Sequence, residues 1–333
     1  MREKVEIMAE IGQAHDGSLG ILHSYIDAVA KTGVDTVKFQ THIAEAESSQ
    51  SEPFRVNFTY EDKTRYDYWR RMEFSVDKWR GIKKHCEEVG LKFLSSPFSL
   101  AAVDLLEEIG VNRYKIGSGE VTNLLILERI AKTGKPVLIS SGMSSFEEIE
   151  KAVSILGHKR VSIMECTTQY PTVPENIGLN VISEFRQRFN VPIGFSDHSG
   201  EIFPSLAAVV LGADIIEIHV VFDKQMFGPD AVASLTIGQL EELVRGIRFL
   251  EISLAHPKDK NDLAAFDQLK NIFEKSLAVN KDLSHGHVLR FEDLETKKPA
   301  NMGVNARDYK SLLGKKLTRP LEKWDFIKPE DIQ

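Results

Sequence analysis

The chain has 333 residues, of which 42% are hydrophobic and 27% charged, and its formal net charge is −7. This length suits a barrel of about 250 residues plus a small module, while the acidic balance argues against nucleic acid or an anionic membrane as the partner. Two cysteines exclude a disulfide framework, and without an apolar signal core or a run of the ~20 apolar residues of a membrane helix we expect a cytoplasmic protein with no membrane partner.

Short apolar runs rich in β-forming residues recur along the first two thirds of the chain, and a helix-like segment follows each one. An example is LHSYIDAVAKTG, in which apolar positions recur near a 3.6-residue period and a glycine closes the helix. This alternation predicts a parallel sheet with helices on its faces, and eight units favour a (β/α)8 TIM barrel over an open dinucleotide-binding sheet. The predicted strands are 5–12, 35–40, 91–97, 113–119, 135–142, 161–167, 192–198 and 214–221.

Two further segments stand apart from the repeating units. The insertion 41–75, between predicted strands two and three, is polar and rich in aromatic residues and arginine, which is typical of a functional lid. After about residue 255 the pattern changes to a polar tether and then to short β-like runs. We therefore predict a catalytic barrel over 1–255, a linker over 256–272 and a small β-rich domain over 273–333.

Polar residues concentrate where the predicted strands end, which is where reactive groups lie in a TIM barrel. Stability alone does not explain such a pattern. The candidates, in chain order, are Glu10, Lys38, Gln40, Ser96, Lys115, Ser118, Glu120, Thr168, Tyr170, Ser196, His198, Glu217, His219 and Asp230.

Two histidines end the adjacent seventh and eighth predicted strands. His198 and His219 are close enough there to share a divalent metal ion that acts as a Lewis acid, although each could instead be a hydrogen-bonded barrel residue. The run Ser196-Asp197-His198 suggests a hydrolase triad, but its serine and histidine are only two positions apart and no elbow-type turn surrounds the serine. Alternation along the strand turns Asp197 away, so we expect it to hold the turn.

Two lysines end the second and fourth predicted strands. Lys38 and Lys115 would form, with nearby serine hydroxyls and the amides of residues 117–119, a site for a small, highly charged anion such as a phosphate or carboxylate. Salt bridges to Glu10 and Glu120, or a Schiff-base lysine, are the alternatives.

The motifs AEIGQAHDGS, VKFQTH, SSPFS, YKIGSGE, CTTQYPT, GFSDHS and GPDAVAS resemble, in this order and spacing, those of the N-acetylneuraminate (sialic acid) synthase family. The tail FEKSLAVNKDLSHGHVLRFEDLETKKPA resembles that family's C-terminal antifreeze-like (SAF) domain. The resemblance implies an enzyme that condenses phosphoenolpyruvate with an N-acetylmannosamine-type 2-acetamido sugar in its aldehyde form, releasing phosphate.

The resemblance also implies roles for the candidate residues. Phosphoenolpyruvate would be held by Lys38, Ser96, Lys115, Ser118, Thr168 and Ser196, with Gln40 beside Lys38 as a further substrate-binding residue. Mn²⁺ or Mg²⁺ would be held by His198 and His219, and the acceptor sugar by Glu120, Tyr170 and Asp230. Glu10 would lie beside the reacting centre, and either Glu10 or Asp230 would position the water or move a proton.

The resemblance further implies a domain-swapped dimer, in which the small domain of one subunit covers the barrel of the other. Where the family's small domain has Arg-Pro-Gly, with the arginine reaching the acceptor, this chain has Lys298-Pro299-Ala300. Lysine does not replace arginine at a planar contact. The segment 57–74 of the lid also differs from that of the best-known bacterial members of the family. The acceptor therefore stays open: an N-acetylmannosamine-type sugar, the precursors of legionaminate or pseudaminate, or the acceptor of another 2-keto sugar acid synthase. A non-catalytic sugar- or ice-binding protein is a weaker alternative.

Overall fold

The computed structural model describes residues 4–56 and 60–333; residues 57–59, at the start of the predicted lid, lie outside the described residues. The chain forms two compact units, one ending at His256 and the other beginning at Pro257. Within the described ranges, no helix has both the length and the apolar character required to span a bilayer.

The first unit is built around eight parallel strands that confirm the predicted barrel. Its strands are Glu6–Glu10 (β1), Thr36–Thr41 (β2), Lys92–Pro97 (β3), Tyr114–Ile116 (β4), Val137–Ser140 (β5), Val161–Cys166 (β6), Ile193–Asp197 (β7) and Ile215–Val221 (β8). Their order is β3-β2-β1-β8-β7-β6-β5-β4, and β3 packs beside β4 to complete the nearly closed ring. A two-residue strand, Leu235–Thr236 (β9), pairs with the end of β8.

The helices of this unit are Leu19–Ala30 (α1), Ala44–Glu47 (α2), Arg65–Met72 (α3), Val76–Glu88 (α4), Leu100–Glu108 (α5), Leu124–Ala131 (α6), Phe146–Leu156 (α7), Leu179–Phe189 (α8), Phe203–Val210 (α9) and Ile237–Ala255 (α10). Short polar side chains fix where they begin: Ser99 caps α5, and at α7 Ser145 and Glu148 form a reciprocal capping box. The predicted lid thus contains two helices, α2 and α3, in its described part.

A layer of apolar side chains lies inside the barrel, directly beneath its polar end. Its members are Met8, Leu94, Leu138, Met164 and Ile215. Most of them precede a polar strand-end residue by two positions, as the inward alternation of a barrel strand requires. Gly194 completes this layer, because a Cβ atom there would lie 2.2 Å from the sulfur of Met164. This apolar layer therefore fills the barrel interior directly beneath the polar groups.

The second unit is small and partly β-structured, as predicted. It contains the helix Asp267–Phe273 (α11) and an antiparallel pair of strands, Ser276–Val279 (β10) and Leu294–Lys297 (β11). Its own apolar cluster includes Leu277, Leu289 and Leu317. Lys298 directly follows β11, and its ammonium lies 4.9 Å from the centre of the Phe273 ring.

Candidate active site

A cavity of about 500 Å³ opens at the carboxyl ends of the barrel strands. The candidate residues from the barrel all line it: Glu10, Lys38, Gln40, Ser96, Lys115, Ser118, Glu120, Thr168, Tyr170, Ser196, His198, Glu217, His219 and Asp230. Lys298 belongs to the second unit, and its role stays a prediction.

Strand register brings distant candidates side by side. Glu10 at the end of β1 is in register with Lys38 on β2 and with His219 on β8. On the next pair of strands, Ser196 of β7 is in register with Glu217 of β8. Each side chain therefore reaches the cavity from a rigid strand rather than from a loop.

Four buried charges form the base of the cavity. The Lys38 ammonium lies 2.7 Å from Glu10 Oε1 and 3.6 Å from Glu217 Oε1. The Lys115 ammonium donates to both oxygens of Glu217, at 2.6 and 2.7 Å. All four side chains are at most 5% exposed, and their formal charges sum to zero. Lys115 thus pairs with Glu217 rather than with Glu120, whose carboxylate accepts from Asn123 Nδ2 at 2.7 Å.

The pKa values in this cluster reflect two effects: burial, which disfavours the charged forms, and the charges of neighbouring groups. Burial opposes the ionisation of Glu10, but the charges of His219 and Lys38 outweigh it and hold the pKa of Glu10 well below its usual range. Burial likewise opposes the charge on Lys38, and Glu10 and Glu217 outweigh it, so the pKa of Lys38 is raised. For Lys115 burial prevails, with Lys38 acting in the same direction, and its pKa is lowered despite the carboxylate of Glu217.

The two predicted metal-binding histidines face each other, with their ring centres 5.4 Å apart. His198 Nδ1 lies 2.8 Å from the carbonyl oxygen of Thr167; because a carbonyl only accepts, Nδ1 carries the proton and Nε2 presents a lone pair. Burial, followed by the charge of His219, lowers the pKa of His198 to about 4, so this ring is neutral near pH 7. His219 Nε2 lies 3.1 Å from Glu10 Oε2.

These side chains offer two imidazole nitrogens and one carboxylate oxygen, a donor set that suits a divalent ion such as Mn²⁺. The bond from His198 to a backbone carbonyl is the kind of outer contact that orients a metal-binding histidine. Within residues 4–56 and 60–333, no three or more His, Cys, Asp or Glu side chains already converge in a metal-binding geometry. The donor types suit the predicted metal, and the metal itself stays a prediction.

A pocket of hydroxyl groups lies against the backbone of Gly142. A Cβ atom at Gly142 would lie 2.4 Å from Thr168 Oγ1 and 2.8 Å from both Ser118 Oγ and Cys166 Sγ. The absence of a side chain therefore lets Thr168 and Ser118 approach each other in the cavity. Such convergent hydroxyls suit the oxygens of a phosphate or carboxylate.

Asp197 has the structural role that alternation predicted for it. Its carboxylate accepts from the backbone N–H of Ser199 at 2.8 Å and from Ser205 Oγ at 2.9 Å. It thereby holds the turn after β7 and does not line the cavity.

The insertion supplies a rim that the residue-by-residue sequence analysis missed. The Arg55 guanidinium lies 4.2 Å from the centre of the Tyr170 ring and donates to Asp230 Oδ1 at 2.9 Å. The Tyr170 hydroxyl lies 3.2 Å from His198 Nε2. Arg55 is thus linked through one aromatic ring to the candidate metal site.

A second arginine of the insertion ends a stack of four planar groups. The Arg65 guanidinium lies 4.1 Å from the Trp69 ring, Trp69 stacks on His42 at 3.9 Å, and His42 stacks on Phe98 at 4.6 Å. The Trp69 indole N–H donates to Glu52 at 3.1 Å. The only sequence signal for these residues was the high arginine and aromatic content of the insertion, which gave no register.

Comparison with known proteins identifies two regions of the chain. The model of the NeuB family matches residues 25–259, and the model of the SAF domain matches residues 274–333.

Individual relatives match along nearly the whole chain. The N,N'-diacetyllegionaminic acid synthase of Campylobacter jejuni is 35% identical, covering 98% of this chain and 99% of the relative. The N-acetylneuraminate-9-phosphate synthase of Homo sapiens is also 35% identical, covering 97% of this chain and 91% of its own. Among solved structures, the sialic acid synthetase of Leptospira borgpetersenii is 30% identical, with a TM-score of 0.71 over 80% of this chain and 90% of that chain.

Proposed function

The chain belongs to the NeuB family, and from this premise we propose that it condenses phosphoenolpyruvate with a 2-acetamido sugar aldehyde to give a sialic-type nonulosonic acid and phosphate. The relatives make acids of this class, and their names differ in the acid formed. The observation that carries the proposal is that the candidate residues from seven of the eight strands and their following loops line one cavity. A simple binding site has no need for paired lysines next to two histidines and a carboxylate.

Phosphoenolpyruvate would occupy the inner part of the cavity. Lys38 and Lys115 supply positive charge there, and the hydroxyls of Ser118 and Thr168 supply donors around Gly142. Glu217 binds both ammonium groups and accepts from Ser196 Oγ at 2.9 Å. It therefore orients the lysines toward the anion, and its negative charge favours their protonated forms against the effect of burial.

His198 and His219, with Glu10, would hold a divalent metal such as Mn²⁺ or Mg²⁺. When bound, such an ion supplies the Lewis acidity that polarises the aldehyde of the acceptor. His198 is neutral and its Nε2 lone pair is oriented by the bond from Nδ1 to Thr167, which prepares it for this task.

The reaction joins the enol carbon of phosphoenolpyruvate to the aldehyde carbon of the sugar. Water adds to the cationic carbon that this leaves, and the tetrahedral centre then loses phosphate. Glu10 lies between Lys38 and His219, where the two substrates would meet, and it is ionised. It is therefore the better candidate to orient the water, while Asp230 holds Arg55 on the rim.

The test is the release of phosphate from phosphoenolpyruvate in the presence of each of a panel of 2-acetamido aldoses, with and without EDTA. We expect release with at least one sugar, abolished by EDTA and restored by Mn²⁺. If no sugar in the panel supports release by the metal-loaded full-length protein, the proposed function is wrong.

We further propose a domain-swapped dimer in which Lys298 of one subunit serves the barrel of the other. The expected mass is twice 37.5 kDa, measured by light scattering. Mixing subunits that carry Lys115→Met with subunits that carry Lys298→Ala should restore activity, because one composite site of the mixed dimer then has both lysines. Exchanged subunits that stay inactive would contradict the swap.

A further inference from the structure

We propose that the rim formed by the insertion selects an acceptor sugar that carries no phosphate, and that Arg65 recognises a neutral oxygen of that sugar, such as an acetamido carbonyl. This inference depends on the proposed condensation and adds the chemical class of the acceptor. Relatives of both kinds match this chain, one of them named as a 9-phosphate synthase and another as a diacetyllegionaminic acid synthase.

The Arg65 guanidinium is held in place but keeps its hydrogen-bond donors available. Its position on Trp69 and the stack behind that ring fix its plane, and its side chain is only 13% exposed. Its nearest carboxylate oxygen, on Glu52, is 3.6 Å away, which is too long for a hydrogen bond. In the described part of the chain Arg65 makes no hydrogen bond, although it lines the cavity. A preorganised planar donor of this kind suits an oxygen of a bound ligand.

Arg55 is less available for this role. Its guanidinium already donates to Asp230 at 2.9 Å and covers the Tyr170 ring at 4.2 Å. It therefore positions Tyr170 and Asp230, two of the three residues that the family resemblance assigns to the acceptor.

The charges on the rim disfavour a phosphate. Two guanidinium groups, of Arg55 and Arg65, line this part of the cavity together with four carboxylates, those of Glu47, Glu52, Glu120 and Asp230. The Arg55 guanidinium already contacts Asp230 at 2.9 Å, and the Arg65 guanidinium lies 3.6 Å from Glu52. A phosphate dianion would meet an excess of negative charge here, whereas hydroxyls and an acetamide can use both the donors and the acceptors.

The experiment measures steady-state kinetics of the full-length, Mn²⁺-loaded protein with phosphoenolpyruvate. The acceptors are N-acetylmannosamine, its 6-phosphate and unphosphorylated 2,4-diacetamido-2,4,6-trideoxy hexoses. We expect kcat/KM for the best unphosphorylated sugar to exceed that for the 6-phosphate by at least about tenfold. Preference for the 6-phosphate would refute the inference and leave the proposed function intact, whereas no turnover with any acceptor would overturn both.

Arg65→Gln tests the role of the guanidinium itself. We expect it to raise KM for the acceptor by roughly 10- to 100-fold, the effect of losing a charged donor to a neutral oxygen, with KM for phosphoenolpyruvate unchanged within about twofold. Arg65→Lys should behave like Arg65→Gln, because an ammonium lacks the planar fork.

The matched control is Arg70→Gln, on the same helix α3, where the side chain is exposed and does not line the cavity. It should match the wild type. An unchanged acceptor KM in Arg65→Gln, or an equal rise for both substrates, would refute the specific role of Arg65.

Discussion

Replacing Lys115 by methionine removes one positive charge from a buried group of four whose charges cancel. Glu217 would then keep only a 3.6 Å contact with Lys38 and the hydroxyl of Ser196. Breaking a buried ion pair by removing one partner destabilises a protein by about 3–5 kcal/mol. For a barrel of this size that corresponds to a fall in Tm on the order of 10 °C.

Glu217→Gln should destabilise the barrel by a similar amount, because it leaves two buried ammonium groups with one carboxylate. The double variant, Lys115→Met with Glu217→Gln, restores the balance, since Lys38 and Glu10 remain paired at 2.7 Å. We therefore expect the double variant to be within about 1 kcal/mol of the wild type, yet inactive.

The measurement is thermal or urea unfolding of the four proteins of this cycle, followed by circular dichroism, with phosphate release assayed in parallel. A surface pair on α4, Lys84 and Glu88 at 3.4 Å, provides the matched control. Its equivalent substitutions should change stability by less than about 1 kcal/mol. If the double variant loses the sum of the two single losses, Lys115 and Glu217 are not energetically coupled and the reasoning fails.

Three further predictions concern other parts of the barrel. Gly142→Ala should raise KM for phosphoenolpyruvate at least about tenfold with the fold intact, because its methyl group would displace the Thr168 hydroxyl; unchanged kinetics would exclude this pocket from the phosphate site. His219→Ala should lose bound Mn²⁺, measured by elemental analysis, as well as activity, while its circular dichroism spectrum stays that of the wild type; a fully loaded variant would remove His219 from the metal site. Burial raises the pKa of Glu165 to about 7, although the hydrogen bond from Ser141 acts to lower it. The contribution of Glu165 to stability is therefore complete below about pH 4.5 and is lost as pH rises through 7. Between pH 5 and 8 the free energy of unfolding should therefore fall less in Glu165→Gln than in the wild type, by on the order of 3 kcal/mol. Identical pH profiles of the two proteins would show that Glu165 is not the group responsible.

The barrel could be predicted because each strand carries its own signal. Strands buried on both faces appear as short apolar runs, and a polar residue at the end of each run marks the open end of the barrel. Alternation alone placed Glu217 and His219 on one face and turned Asp197 away from it.

The pairings inside the site could not be predicted in the same way. Lys115 and Glu217 are 102 positions apart, and the sequence offered the nearer Glu120 as a partner. Which carboxylate a lysine reaches depends on strand register and barrel radius, which the local pattern does not contain.

The rim was missed for a related reason. Arg55 and Arg65 lie in an insertion without a continuous apolar period, so nothing in the local pattern indicated which of its side chains point inward. Their role depends on tertiary stacking that reaches Phe98, which lies on another loop of the barrel, after β3.

The barrel strands carry the groups proposed to react, whereas the insertion carries the groups proposed to contact the acceptor. The proposed reacting groups sit on strands that also carry the core, so a substitution that breaks a buried pair there, such as Lys115 with Glu217, affects folding and chemistry together. Arg55, Arg65 and Trp69 belong to one contiguous insertion that contributes little to the barrel core. If the proposed function holds, a change of acceptor would need alterations in this one segment, while the strand-borne groups stay the same.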